Sequence, residues 1–303
     1  MKRIIALVVG FAAGCVLTFG QAMAADNRVA SAIGTVDTIE SAEAKDTVRL
    51  ESRYLSEVEV DDQSGDLAIS ESQFSFEHEF KVKERLPVTF SLMNKHIDIN
   101  SDVPTYLPSN LVGRSIGLGT KFPAPFTSSP NYFMGIDVFA TMYTDGWNES
   151  SASAFRMPFR TYLIYKRDDN FIVFGGLSVR PSFDRRVVPI MGFIYKPNEK
   201  VAFNIASDNP TITYQVAEKT KLLLEGDLVN DEYEVTHLGE KGRVLFYREL
   251  SVGAGVEHSF TNSIKGLVSV GTVFSRLLKY EDDTGKVEPD AGMYVKGRLS
   301  VEF

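Results

Sequence analysis

Ala291-Gly-Met-Tyr-Val-Lys-Gly-Arg-Leu-Ser-Val-Glu-Phe303 changes character at every step. Ala291, Met293, Val295, Gly297, Leu299, Val301 and Phe303 share one parity; Gly292, Tyr294, Lys296, Arg298, Ser300 and Glu302 share the other. Side chains of a strand alternate between two faces, so this strand has one apolar and one mostly polar face. Two environments accept such a strand. One is the half-buried edge of a soluble sandwich. The other is a sheet with lipid on its apolar side.

The opposite end bears on that choice. Lys2 and Arg3 precede a run from Ile4 to Gly20 that is apolar apart from Thr18, and Ala22-Met23-Ala24 is a small-x-small cleavage site. This is the pattern of a secretory signal, with the mature chain expected from Ala25. Cleavage before Cys15, as in a lipoprotein, is the alternative. It would leave apolar Val16 to Phe19 on the mature N-terminus, which argues against it. Cys15 is the single cysteine, so the mature chain has no disulfide, thiol nucleophile or thiolate metal site. Export without cysteine suits a chain that crosses an oxidising compartment.

The chain has 32 basic and 40 acidic residues. Removing the signal takes two basic and no acidic residues, which leaves 30 against 40 and a net charge of −10. That balance disfavours nucleic acid as a partner. After Gly20 no apolar run is long enough for a helical span, and the mean hydropathy of −0.08 is what half-apolar strands give. Residues 25–46 are small, polar and acidic without sustained periodicity, and are expected to form a flexible periplasmic leader, with a plug in the lumen as the alternative.

From residue 47 onward, period-two segments recur between turn residues. Val48, Leu50, Tyr54, Val58 and Val60 oppose Arg49, Glu51, Arg53, Glu57 and Glu59. Phe74, Phe76 and Phe80 oppose Gln73, Glu77 and Glu79. Phe155, Met157, Phe159 and Leu163 oppose Arg156, Arg160 and Lys166, whereas Phe171 to Val179 is apolar on both faces except near its end. Tight connections (such as Arg167 to Asn170 and Pro197 to Glu199) largely alternate with longer ones (such as Asn100 to Asn110 and Val229 to Lys241). This predicts an all-β, transmembrane, antiparallel up-and-down barrel over residues 47–303, with tight periplasmic turns, longer outer loops and both termini periplasmic. Threading gives fourteen strands, or twelve if the short pair around Ala202 and Thr213 fails to span. Tyr165, Phe171, Tyr195, Tyr214, Tyr247 and Phe260 are expected in an interfacial girdle.

Val188-Pro-Ile-Met-Gly-Phe-Ile-Tyr-Lys-Pro-Asn-Glu-Lys200, Asn209-Pro-Thr-Ile-Thr-Tyr214 and Tyr247-Arg-Glu-Leu250 are similar to an uncharacterised domain-of-unknown-function family of bacterial outer-membrane β-barrels. The resemblance covers roughly the latter half of the chain. It implies an architecture and no activity. The C-terminal strand, with Val301 and terminal Phe303, also resembles the assembly signal by which such barrels engage the insertion machinery.

Enzyme signatures are missing from the sequence. His78, His96, His237 and His258 lack metal spacing, there is no Gly-x-Ser-x-Gly elbow, and adjacent His258 and Ser259 face opposite sides of a strand. Neither a cofactor nor a metal is implied. The acidic run Glu281 to Gly285 does not match a Ca²⁺ loop, and Trp147 is expected to anchor a loop at the outer interface. Charges on the predicted inner face must meet water or each other. Arg49, Arg53, Glu57, Glu77, Arg156, Arg160, Lys296 and Arg298 are therefore the candidate lumen lining, and Arg180, Arg185 and Arg186 a basic outer-loop cluster for lipopolysaccharide phosphates. The expected location is the outer membrane of a Gram-negative-type bacterium, among its lipids and lipopolysaccharide. The expected function is a passive, porin-like channel for small polar solutes. A closed barrel acting through its loops is the alternative, and the oligomeric state stays open.

Overall fold

The computed structural model describes residues 45–60, 63–82, 86–146, 154–206 and 208–303. The expected signal, most of the leader and Trp147 lie outside them. The strands are β1 (Lys45–Glu59), β2 (Asp66–Val82), β3 (Leu86–Ser101), β4 (Asn110–Pro123), β5 (Tyr132–Thr144), β6 (Phe155–Arg156), β7 (Phe159–Asp168), β8 (Phe171–Val179), β9 (Val187–Asn198), β10 (Val201–Ala206), β11 (Thr211–Ala217), β12 (Thr220–His237), β13 (Glu240–Ser259), β14 (Ile264–Tyr280), β15 (Lys286–Val287) and β16 (Gly292–Glu302). Two-residue β6 and β15 pair with β5 and β14. Among the described residues the other fourteen form one antiparallel sheet. It closes where β1 pairs with β16 from Thr47↔Glu302 to Leu55↔Tyr294. Asp46 and Phe303 exchange backbone hydrogen bonds of 2.8 and 3.0 Å, so β1 begins inside the stretch expected to be leader. The short β10–β11 pair belongs to the wall, which sets the strand count at fourteen.

Faces follow the alternation, with the apolar side outward. On β16, Met293 and Val295 are 63% and 54% exposed, whereas Tyr294 and Lys296 are buried. Leu50, Ile116, Leu118, Val252, Val256, Val268 and Val270 continue this exposed band around the wall. A soluble sandwich would turn those side chains inward, and so large an exposed apolar surface marks contact with lipid. Aromatic pairs gather where the tight turns lie, including Tyr132–Tyr165, Phe171–Tyr195 and Tyr195–Phe203, with ring centroids 4.9, 6.0 and 6.2 Å apart. Tyr247 leaves the expected girdle. It is fully buried and points inward from β13.

One stretch expected to be a loop is strand. Residues Val229 to Lys241 continue β12 and β13 through a two-residue turn, Leu238-Gly239, both with positive φ. Acidic residues hid an alternation: Val229, Tyr233 and Val235 have one parity, Asn230, Glu232 and Glu234 the other. Both sets are buried. The reason is the shortness of β10 and β11. The β11–β12 ladder ends at Thr211↔Glu225, and β9 pairs with β10 only as far as Gly192. Among the described residues Val187 to Met191 therefore have no ladder on that side, and Pro189 falls there, in keeping with the confinement of proline to strand edges. Past two backbone bonds to Pro210 and Asp208, the far half of β12 turns into the barrel and bridges β5 at Glu234↔Thr144.

The inward segment fills the loop end of the barrel. Val229, Tyr233 and Val235 join an apolar cluster with Leu55, Leu67, Ile69, Ile97, Leu111, Leu245 and Tyr280. A second cluster, around Ile164, Ile172, Phe174, Ile190 and Ile194, lines the inner side of β7 to β9 and explains why β8 is apolar on both faces. Elsewhere glycines make room for rings. A Cβ at Gly271 would lie 2.6 Å from the Tyr294 ring and 2.3 Å from the Val252 carbonyl oxygen. Gly271→Val is expected to destabilise the barrel by about 1–3 kcal/mol through overpacking. Urea unfolding in detergent micelles measures it; an unchanged midpoint contradicts the close approach.

Candidate functional site

The barrel interior is the candidate site, and charges bridge it at mid-height. Arg53 Nη1 on β1 meets Glu249 Oε1 on β13 at 2.5 Å, although β16 and β14 separate those strands in the sheet. Arg276 Nε donates to the other oxygen of Glu249 at 3.0 Å. Lys95 on β3 reaches Asp231 on β12 at 3.4 Å and Glu71 at 3.7 Å. The Tyr247 hydroxyl lies 2.9 Å from Glu71 and 3.0 Å from Glu249. Arg53 also stacks on Tyr294, 4.1 Å from the ring centre. Contacts between strands so far apart in the sheet can form only across the interior.

The inward half of β12 is held on its polar face. Arg156 Nη1 donates to Glu232 Oε2 at 3.2 Å, and the Asp184 backbone N–H donates to the same carboxylate. Arg180 Nη2 donates to the Asn230 carbonyl at 3.3 Å. Both guanidiniums lie over Phe183, at 4.2 and 4.1 Å. At the hairpin tip Arg243 pairs with Glu240 and, at 2.5 Å, with Asp282 in the loop after β14.

Between this network and the tight turns lies a polar chamber of about 250 Å³. Arg49, Glu51, Glu77, Lys296 and Arg298 line it beside Asn204, Thr211 and Asp227 from the opposite wall. Lys296 pairs with Glu225 at 2.5 Å and Arg298 with Glu51 at 2.6 Å. Arg49, Asn204 and Asp227 are left with buried polar atoms that lack a hydrogen-bond partner.

The sequence candidates separate accordingly. Arg49, Glu77, Lys296 and Arg298 meet in the chamber, Arg53 joins the mid-height bridge, Arg156 clamps β12, and Arg160 lies 5.1 Å from the Phe139 ring centre. Glu57 departs from the expected lining. It is exposed, because the β1–β2 register shifts between Leu55 and Val58. The basic outer cluster loses Arg180, which is 2% exposed and turned inward; Arg186 is exposed and Arg185 half-buried. Terminal Phe303 is exposed beside the β1–β16 seam. The sequence reading passed over Glu71, Lys95, Glu225, Asp227, Asp231 and Arg276. Glu225 and Asp227 had a usable signal, since they oppose Leu222 and Leu224 in alternation. His78 and His258 sit beside Phe80 and Phe260, and among the described residues no cluster has the makings of a metal site.

Two expectations follow. Glu249→Ala takes the nearest carboxylate from two buried guanidiniums and should cost about 3–5 kcal/mol, much of it recovered by replacing Arg53, Glu249 and Arg276 together with apolar residues. Chemical unfolding of both variants is the check, and equal losses contradict it. Asp282, in the loop, accepts from the Thr284 hydroxyl at 2.7 Å and faces Arg243; these hold its carboxyl below its ordinary value of 3.8. A depressed carboxyl stabilises fully above the unfolded value, and that stability is lost as pH falls through the lower folded value. Hydrogen exchange at Glu240 to Arg243 should therefore quicken only below about pH 3.8. Quickening between pH 7 and 5 would contradict this role for Asp282.

No curated protein matches the chain. Among solved structures it is similar to the COG4313 outer membrane channel from Pseudomonas putida F1, with 10% identity, a TM-score of 0.47, and 88% of this chain and 98% of the other covered. It is also similar to a Pseudomonas aeruginosa FadL homologue (10% identity, TM-score 0.43, 86% and 89% covered) and to a deletion mutant of the TodX monoaromatic hydrocarbon channel (10%, 0.41, 91% and 94%). Residues 96–287 match the family described as domain of unknown function DUF6268, and the chain belongs to that family.

Proposed function

We propose that this chain is an outer-membrane barrel that acts as a passive, gated channel for small polar solutes. The observation that carries the reading is the charged chamber inside a closed barrel, since a barrel with a purely structural role needs no polar cavity. The turn end, where β1 begins and β16 ends, faces the periplasm. The inward half of the β12–β13 hairpin is the gate, held by Arg156, Arg180 and Asp184. Signal cleavage after Ala24 precedes delivery, Val301 and Phe303 present the assembly signal, and Arg185 and Arg186 meet lipopolysaccharide phosphates. A second reading, a closed barrel acting through its loops, is favoured by the apolar cluster that fills the loop end.

Single-channel recording in planar bilayers separates the two. The wild-type protein should show rare, brief steps. Arg156→Ala combined with Glu232→Ala releases the gate without leaving either charge unpaired, and should raise the open probability at least about tenfold, a shift of about 1.4 kcal/mol. Silence from both, in protein shown to be inserted, excludes the channel and leaves the closed barrel.

A further inference from the structure

The chamber's charges are matched, and the hydrogen bonds they leave unmade specify a ligand. Lys296 is taken by Glu225, which also accepts from the Ser269 hydroxyl at 2.8 Å. Arg298 is taken by Glu51, and Glu77 has a partner of its own. Arg49 faces Glu51, Glu77 and Glu302, and Asp227 faces Lys296 and Arg53, yet each keeps a buried atom with no hydrogen bond. The Arg49 Nε–H and Asp227 Oδ1 are buried without a hydrogen-bond partner, and so is Asn204 Oδ1. They come from β1, β12 and β10, so one cavity gathers them from separate parts of the wall.

A buried polar atom without a partner costs roughly 1–3 kcal/mol, and more when it carries charge. Three in one cavity indicate a complement that arrives from outside. It must accept a hydrogen bond at the cation and donate at both oxygens. A polyol satisfies the hydrogen bonds but forgoes the greater strength of charge-assisted ones at Arg49 and Asp227. A simple anion answers Arg49 and is repelled by Asp227; a simple cation meets the reverse. We propose that the chamber is a binding site for a small zwitterion of the α-amino-acid type. Its carboxylate accepts from Arg49, and its ammonium donates to Asp227 and Asn204. The volume, about 250 Å³, lies below the roughly 300 Å³ at which drug-sized pockets begin, and selects a short side chain. The biological use of the site rests on the channel reading; its chemistry does not.

Equilibrium dialysis of labelled L-alanine against the detergent-purified mature protein tests the site without any conductance. Saturable binding to one site is expected, at least about tenfold tighter than acetate, methylammonium or glucose measured as competitors. Arg49→Gln and Asp227→Asn should each weaken alanine at least about tenfold while leaving glucose unchanged. Alanine that binds no better than glucose overturns the assignment, and so does an affinity unaffected by both substitutions. If either charge variant fails to refold to the compact, heat-sensitive species, Asn204→Ala decides: a several-fold weakening supports the site and an unchanged affinity overturns it. Alanine binding by an electrically silent barrel keeps the site and removes the channel. Conductance without alanine binding keeps the channel and removes the site.

Discussion

A backbone amide facing hydrocarbon must find its partner within the protein, and the architecture follows from that constraint. Thirteen neighbouring pairs and the β1–β16 seam satisfy it around most of the wall. The short β10 and β11 do not, because their ladders stop before those of their neighbours. An edge left against lipid would cost several kcal/mol for every unpaired group. The far half of β12 avoids this by turning inward, where its backbone meets β5 and the Arg180 side chain.

Once β12 enters, the interior has to accommodate it. Its two faces differ in chemistry, and each has recruited a matching environment. Val229, Tyr233 and Val235 find aliphatic side chains of β1 to β4. Glu232 and the Asn230 carbonyl find two arginines held over one phenylalanine ring. Below this plug the polar groups are not all hydrogen-bonded, and the chamber is the space they line.

The architecture was legible in the sequence because it is written in alternation. Met293, Val295, Phe155 and Phe159 point out while Lys296, Arg156 and Arg160 point in, as period two requires. The plug was not legible. Val229 to His237 contains three acids and a strand neighbour that is too short, so it read as loop, and its alternation became meaningful only with both faces buried. Inner-face apolar residues such as Ile97 and Leu55 broke the expected polar-in rule for the same reason. Arg180 looked like part of a surface cluster because its partner, a backbone carbonyl of β12, has no signature in sequence. The chamber groups Arg49 with Asn204 and Asp227 through barrel curvature, which no local pattern encodes.

The seam joins the first and last strands of the barrel: Glu51 and Arg298 meet at 2.6 Å although 247 residues apart in sequence. Closing so long a loop costs about 5 kcal/mol of chain entropy, so this pairing is the natural last event of folding. Until it forms, Arg53 has neither Tyr294 beneath it nor the curvature that brings Glu249 within reach. The growing sheet therefore carries part of its interior charge uncompensated, and it must be shielded from lipid until the seam zips. Closure then neutralises the interior and completes the wall in one step, which makes an open-sheet intermediate short-lived and the finished barrel hard to reopen.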